Sequence, residues 1–158
     1  MDLKEVKVPL ISIKAPACVL NAESKAALSK GLVTVAVECE QIPDDPKKHA
    51  LCMVMIEEGA AGNWTFGGND LSHMVVSFIA TITVARGVLD GQSRARFAEL
   101  GHKAIVDALP GETRRIASSF LFNEIEDGMW GVSGHLWGLR DHAAASGYRH
   151  LQHLVAAR

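Results

Sequence analysis

Acidic side chains gather at or beyond the ends of predicted strands, where active sites often lie. Glu124 stands out among them, because Phe120, Phe122 and Glu124 alternate along the chain and should share one face of a strand. Partial burial beside two aromatic rings favours the neutral acid and suits a carboxyl group for proton transfer. We therefore expect Glu124 either to move protons or to pair with a nearby arginine. The candidate partners are Arg86, Arg114 and Arg115.

The segment near the C-terminus is rich in histidine. His150 and His153 are three residues apart and would share a helix face, so a metal site is one hypothesis. Asp141 is the single carboxylate at close spacing, and no cysteine is near. The alternative, a hydrated helix face or a subunit contact, needs no complete ligand set and is favoured. We expect no metal and no other cofactor.

Two glycine-rich segments each contain a tryptophan. Residues 61–68 read AGNWTFGG and residues 128–134 read GMWGVSG. The first has the glycines of a phosphate-binding loop but lacks the Gly-Lys-Ser/Thr ending that such a loop requires. We expect a short hairpin or loop with a packed aromatic side chain rather than a nucleotide site.

The sequence resembles itself at an offset of 69 residues. Residues 19–28 lie over 88–97 with four identities, and the same offset places 56–59 on 125–128 without a gap. The apolar helix positions and the predicted N-caps, Asn21 and Asp90, repeat in the same register. We infer a duplication.

Each half is predicted to be strand, helix, strand. The predicted strands run from about Val8 to Lys14, Ala50 to Glu57, Ser77 to Ala85 and Ser118 to Ile125, and the helices end near Glu40 and Leu109. The fold class is therefore α+β: duplicated β-α-β units forming a four-stranded sheet with two helices on one face, plus a C-terminal helix. Residues 1–134 would be one domain of two fused repeats (about 9–68 and 78–134) after a short extension, and 135–158 a helical tail. The other sheet face would be bare unless the tail or another subunit covers it.

Composition excludes several classes of protein. The 158 residues are 48% hydrophobic and 22% charged, with a net charge of −2, which fits a globular chain and no nucleic-acid partner. The first residues do not read as a secretory signal, and no apolar run is long enough to span a membrane. Three cysteines without a pairing pattern predict reduced thiols and a cytoplasmic location.

The motifs together resemble the tautomerase superfamily. The features that carry the resemblance are a strand opening Pro9-Leu10-Ile11, capped helices, the Ala-Gly-Asn-x-x-x-Gly-Gly segment and the repetition of the whole unit. The likeness runs from about residue 9 to 134 and is greatest to fused members, the group of cis-3-chloroacrylic acid dehalogenase and malonate semialdehyde decarboxylase. It implies a homotrimer of fused chains that binds a small carboxylate.

The resemblance also implies site residues. In the family an amino-terminal proline amine is the acid or base, and Pro9 matches it by position, although eight residues precede it here. A proline nitrogen inside a chain carries no proton. Either a protease cuts after Val8 or the amine is absent and Pro9 only lines the pocket; no processing signal surrounds Val8, which favours the second. Pro9 and Glu124 are thus the candidate catalytic residues.

Arg86 matches the first of the arginines that hold the substrate carboxylate in the family. The family's second arginine falls near Val88 or Leu89, and its helix histidine falls on Ala36, so dehalogenase chemistry is not expected. The hypothesis is enol–keto tautomerisation, or hydration or decarboxylation, of a small unsaturated or 2-oxo acid. The alternative is a non-catalytic, oligomeric carboxylate-binding protein that has lost the proline base.

Overall fold

A mixed four-stranded sheet organises residues 9–156, the part of the chain that this computed structural model describes. Its strands are β1 (Leu10–Pro16), β2 (Met53–Gly59), β3 (Val75–Ala85) and β4 (Arg115–Ile125). The order is β2-β1-β3-β4; β1 and β2 are parallel, β3 and β4 are parallel, and β1 and β3 run antiparallel in the middle. The predicted duplicated β-α-β sheet is confirmed, with strand limits that shift by up to three residues.

Two helices of 18 residues each, α1 (Ala22–Cys39) and α3 (Gly91–Ala108), pack against each other on one side of the sheet. Both begin with the N-cap residues that the sequence predicted, and each cap is completed by a serine that was not predicted. Asn21 Oδ1 accepts from the Ser24 amide and Asp90 Oδ1 from the Ser93 amide, each at 2.8 Å, and each serine hydroxyl accepts from the cap residue's N–H in return.

A short helix that the sequence analysis did not predict, α2 (Pro46–His49), comes before β2. Asp45 caps it by accepting from the Lys47 amide at 2.9 Å, and Pro46 occupies its first turn, where the missing N–H costs nothing. Because this turn takes up the chain as far as His49, β2 begins at Met53 rather than at Ala50.

The core lies between the sheet and the two helices. Alternate residues of β1 and β3 are fully buried there, and they meet buried side chains on one face of each helix. Burying each large aliphatic or aromatic side chain contributes about 1.5–3 kcal/mol. The residues with no exposed surface include Ile11, Ile13, Val76, Phe78, Ile82, Leu28, Leu32, Phe97 and Ile105.

The opposite sheet face remains open in the single chain. Its residues are the intervening ones of each strand, and two of the apolar side chains there, Met55 and Leu121, are 41% and 54% exposed. The C-terminal tail does not cover this face, because its buried residues Ala143, Tyr148 and Leu151 join the core on the helix side.

A short hairpin follows β4 and consists of β5 (Trp130–Val132) and β6 (His135–Trp137). The earlier segment 61–68 forms a loop with one isolated bridge, Phe66 to Asn69, and its Trp64 indole lies directly against Gly59. Both glycine-rich segments therefore hold a packed tryptophan, as predicted.

The tail is not the single helix that was expected. It consists of α4 (Leu139–Ser146), a 3-10 turn at Arg149–Leu151 and α5 (Gln152–Ala156). Gly147 separates them with a φ of +72°, a left-handed conformation that ends a helix and that glycine adopts at little cost. Within residues 9–156, no helix is both long and apolar enough to cross a membrane.

Candidate functional site

Pro9 and Glu124 lie in one row at one end of the sheet. Pro9 is buried, and its carbonyl accepts from the Met53 amide at 3.1 Å, which fixes it beside the start of β2. Leu10 pairs with Thr83, so the antiparallel register continued by one residue places Pro9 opposite Val84. Val84 in turn pairs with Glu124. Both candidate residues therefore face the helix side at the end of the sheet where β1 begins, called here the Pro9 end.

Arg86 belongs to the same end. It directly follows β3, and its N–H donates to the Ile125 carbonyl at 2.9 Å, just beyond Glu124. Its guanidinium pairs with Glu126, and the two side chains are 64% and 61% exposed. An ion pair this open to water is weak, so a carboxylate ligand could compete for the arginine.

Glu124 pairs with an arginine that was not among the three candidates. Arg94 Nη1 of α3 donates to Glu124 Oε1 at 2.9 Å and to the Leu89 carbonyl at 3.3 Å. Glu124 points toward the helix layer, whereas Arg115 lies on the opposite face of β4 by strand alternation. Arg86 is engaged by Glu126, and Arg114 by Glu112 at 2.7 Å.

The predicted grouping of Glu124 with two aromatic rings is confirmed. Phe120 and Phe122 face the helix layer, and both contact Phe97 of α3, with ring centroids 6.4 and 5.8 Å away. Glu124 is thus the polar end of an aromatic row, and its own side chain is 26% exposed. A carboxylate so placed is paired, partly shielded and still reachable from solvent.

Sequence reasoning missed a buried acid at the same end. Glu40, the residue after α1, has no exposed surface, and Tyr148 of the tail donates its hydroxyl to Glu40 Oε1 at 3.3 Å. Burial raises the pKa of Glu40 well above its usual 4.5, and burial next to this carboxyl raises the pKa of Tyr148 as well. Glu40 Oε2 has no hydrogen-bond partner among the residues that the structure describes. The available signal was the one tyrosine of the sequence, which lies among the apolar positions of the tail.

Two cysteines lie near this acid. Burial raises the pKa of Cys52 to about 12, with the Glu40 charge adding to the effect, and burial raises that of Cys39 to about 12. Cys52 precedes Met53, whose amide bonds to Pro9, so it is the neighbour of Pro9 across the β1–β2 pairing. Thiols with such pKa values are not nucleophiles at neutral pH.

The tail lies across the Pro9 end. The Arg149 amide donates to the Gln41 carbonyl at 2.9 Å, and the His150 ring bonds to the Val88 carbonyl at 2.8 Å. Gln41 directly follows Glu40, and Val88 is two residues after Arg86. These contacts therefore attach the tail close to Glu40 on one side and to Arg86 on the other. Tyr148, which directly precedes these two tail residues, fills the interior with its ring.

The tail histidines do not form a metal centre in the part of the chain that the structure describes. No group of three or more His, Cys, Asp or Glu side chains is arranged to hold a metal ion there. His150 is bonded to a backbone carbonyl, and His142 is buried between Trp130 and Trp137, at centroid distances of 4.7 and 5.2 Å. Burial lowers the pKa of His142, so its neutral ring serves as a packing group between hairpin and tail.

No protein-family model and no curated protein matches this sequence. Solved structures do. A member of the cis-3-chloroacrylic acid dehalogenase family superposes with a TM-score of 0.65 at 17% identity, covering 92% of this chain and 98% of that one. A fused 4-OT in an asymmetric trimer gives 0.64 at 16% identity, covering 80% and 94%. A third protein, Pt0534 inactivated by 2-oxo-3-pentynoate, gives 0.61 at 18% identity, covering 80% and 95%.

These identities are too low to transfer an activity, but the superpositions extend over almost the whole length of each matched structure. They agree with the duplicated topology. The chain therefore has the fold of the fused-repeat tautomerase superfamily.

Proposed function

We propose that this protein is a tautomerase-like enzyme acting on a small unsaturated or 2-oxo carboxylic acid. The reaction class is enol–keto tautomerisation, or hydration or decarboxylation by way of the same enolate. Arg86 binds the substrate carboxylate, Glu124 exchanges the proton and Pro9 lines the pocket. The observation that carries this proposal is that strand pairing brings these three residues to one end of the sheet.

Charge supports the assignment of roles. A guanidinium matches a carboxylate through two parallel hydrogen bonds and stabilises the negative charge that develops on an enolate. The surface pair between Arg86 and Glu126 leaves that guanidinium available to an incoming anion. One solved structure of similar fold is of a protein inactivated by a 2-oxo acid, which agrees with this substrate class.

A homotrimer is the assembly we propose. Similar structures include fused 4-OT proteins in asymmetric and symmetric trimers. The open sheet face, with Met55 and Leu121 exposed, is an apolar surface that another subunit would cover. A cytoplasmic location fits the three free cysteines.

The ketonisation of phenylenolpyruvate, followed by its ultraviolet absorbance, tests the activity. We expect the full-length protein to accelerate the reaction above the buffer rate and Glu124→Gln to lose about 100-fold or more of kcat, because a general base contributes on this scale. Glu23→Gln is the matched control, since Glu23 is exposed in the first turn of α1, at the end of the sheet away from Pro9. An E124Q protein that is as active as the wild type would remove Glu124 from the mechanism.

The second candidate is a non-catalytic, oligomeric carboxylate-binding protein. It is favoured by the burial of Pro9 and by the Tyr148 ring, which occupies the interior at the same end. Binding of a short 2-oxo acid without any turnover would support it. A variant in which the initiator methionine directly precedes Pro9 would expose a proline amine after methionine removal. Turnover by that variant alone would show that the scaffold requires a free amine.

A further inference from the structure

Tautomerisation of an enol needs two proton transfers at different atoms, one from the hydroxyl and one to carbon. Glu124, paired with Arg94 at 2.9 Å, provides one charged carboxylate. The Pro9 nitrogen, which follows Val8 in the sequence, is an amide and provides no proton. The site proposed above therefore lacks a second acid–base group unless the fold supplies one.

We propose that Glu40 is the proton donor of this site. The inference rests on the proposed function and names the group that completes it. Glu40 directly follows α1 and lies near Cys52, the residue before β2 that is opposite Pro9, while Glu124 stands on β4 on the other side of Pro9. The two carboxyl groups thus approach the Pro9 end from opposite flanks.

The surroundings of the two carboxyl groups are opposite in kind, as an acid and a base require. Glu124 has a cation as its partner. Glu40 is fully buried, and in the part of the chain that the structure describes it pairs with no cation and accepts a hydrogen bond only from the Tyr148 hydroxyl, at 3.3 Å. Among residues 9–156, Glu40 Oε2 has no hydrogen-bond partner, so one oxygen of a buried acid is open to a ligand there.

The proton transfers balance without another reactant. The Glu124 carboxylate takes the proton from the enol hydroxyl as the C=O bond forms, and the Glu40 carboxylic acid gives its proton to the carbon that was doubly bonded. The products are the ketone, a protonated Glu124 and an ionised Glu40. One proton passed through solvent from Glu124 to Glu40 restores the starting state.

Access to Glu40 requires Tyr148 to withdraw. Within residues 9–156 the region around Tyr148 is attached by the Arg149–Gln41 backbone bond, the Lys48 Nζ bond to the Ala145 carbonyl, the His150 ring bond to the Val88 carbonyl and the Tyr148–Glu40 bond. His150 Nδ1 beside Tyr148 is buried and has no hydrogen-bond partner among the described residues. Buried polar groups left without partners weaken the closed arrangement and reduce the cost of opening it.

Glu40→Gln tests the proposal with phenylenolpyruvate. Glutamine keeps the volume and an acceptor oxygen for Tyr148 but cannot donate an acidic proton. We expect kcat to fall about 100-fold or more, while phenylpyruvate, the product, binds E40Q within about twofold of its wild-type affinity. Glu40→Asp, which keeps the acid on a shorter arm, should retain more kcat than E40Q. Glu23→Gln, exposed at the other end of α1, is the matched control.

Three outcomes separate the claims. Loss of kcat in E40Q, with product binding kept and partial recovery in E40D, supports the donor role. Wild-type turnover together with an unimpaired E40Q overturns this inference and leaves the proposed function standing. Absence of wild-type turnover overturns both. If E40Q does not fold, Glu40→Asp decides, because a role limited to packing predicts that E40D loses stability without a selective loss of kcat.

Discussion

Tyr148 in the tail donates a hydrogen bond to Glu40 at the end of α1, 3.3 Å away, although 108 residues separate the two in sequence. Both side chains are fully buried, and this contact joins the last part of the described chain to the first β-α-β unit. The contact closes the Pro9 end and shields a buried carboxyl group whose pKa is raised by burial. Substitutions at Tyr148 or Glu40 should therefore change both the free energy of unfolding and the activity of the protein.

Removing the Tyr148 hydroxyl should destabilise the protein. In Tyr148→Phe the ring still fills its space, but both Glu40 oxygens are left without a partner, which costs about 1–3 kcal/mol. Urea unfolding of Y148F, E40Q and the double variant measures the coupling between the two groups. We expect the double variant to be more stable than the two single changes predict by simple addition. Strict additivity would show that the hydrogen bond contributes nothing to folding.

The stability of the protein should depend on pH through Glu40. Burial raises its pKa above the usual 4.5, so the folded state holds the proton that the unfolded state releases first. Below about pH 4.5 Glu40 is protonated in both the folded and the unfolded state, so its ionisation does not lower the free energy of unfolding. As the pH rises from there toward the folded-state pKa, the free energy of unfolding falls.

Glu40→Gln has no such proton to release. The free energy of unfolding of E40Q relative to the wild type should therefore rise above pH 4.5 and level off once Glu40 ionises in the folded state. Urea titrations at a series of pH values measure the difference. A difference that stays constant with pH would contradict the buried, neutral state of Glu40.

Freeing Arg86 from its internal partner should improve ligand binding. Glu126→Gln removes the competing carboxylate at an exposed position, so the free energy of unfolding should change little. We expect KM for a small 2-oxo acid to fall two- to fivefold, roughly the size of a surface ion pair of about 0.5–1 kcal/mol. Glu99→Gln, an exposed pair partner of Arg96 on α3, is the matched control. An unchanged KM in E126Q would place the ligand away from Arg86.

The open sheet face should hold the assembly together. Leu121→Asp places a charge on that face, and sedimentation should show it shifting a trimer toward monomer. Val106→Asp is the control: Val106 is 40% exposed on α3, in the helix layer, and its change should leave the assembly intact. A monomeric wild type would refute the proposed trimer, and a trimeric L121D would assign the interface to another surface.

Local sequence signals predicted the framework well. Asn21 and Asp90 cap their helices as expected, because cap preference depends on a few neighbouring residues. The duplicated strands and the parallel pairings followed from the repeat and from the handedness of strand–helix–strand crossovers. The break at Gly147 was missed because the apolar spacing continues past it.

Those local signals could not predict which side chains that are far apart in the sequence pair with each other. Glu124 meets Arg94 rather than Arg86, Arg114 or Arg115, because the choice depends on how α3 lies over the sheet. Glu40 ends an amphipathic helix and reads as a surface acid until Tyr148 covers it. Strand alternation predicts the face of a residue, whereas the identity of a partner across the core depends on the packed fold.

The most direct test of the account is the steady-state kinetics of Arg86→Ala with phenylenolpyruvate. Removing a charge-assisted contact to the substrate carboxylate costs about 1.5–3 kcal/mol, so kcat/KM should fall about 10- to 100-fold, mainly through a higher KM. The unfolding transition should be unchanged, because the Arg86 side chain is 64% exposed. An R86A protein whose kcat/KM equals that of the wild type would contradict a carboxylate site at the Pro9 end.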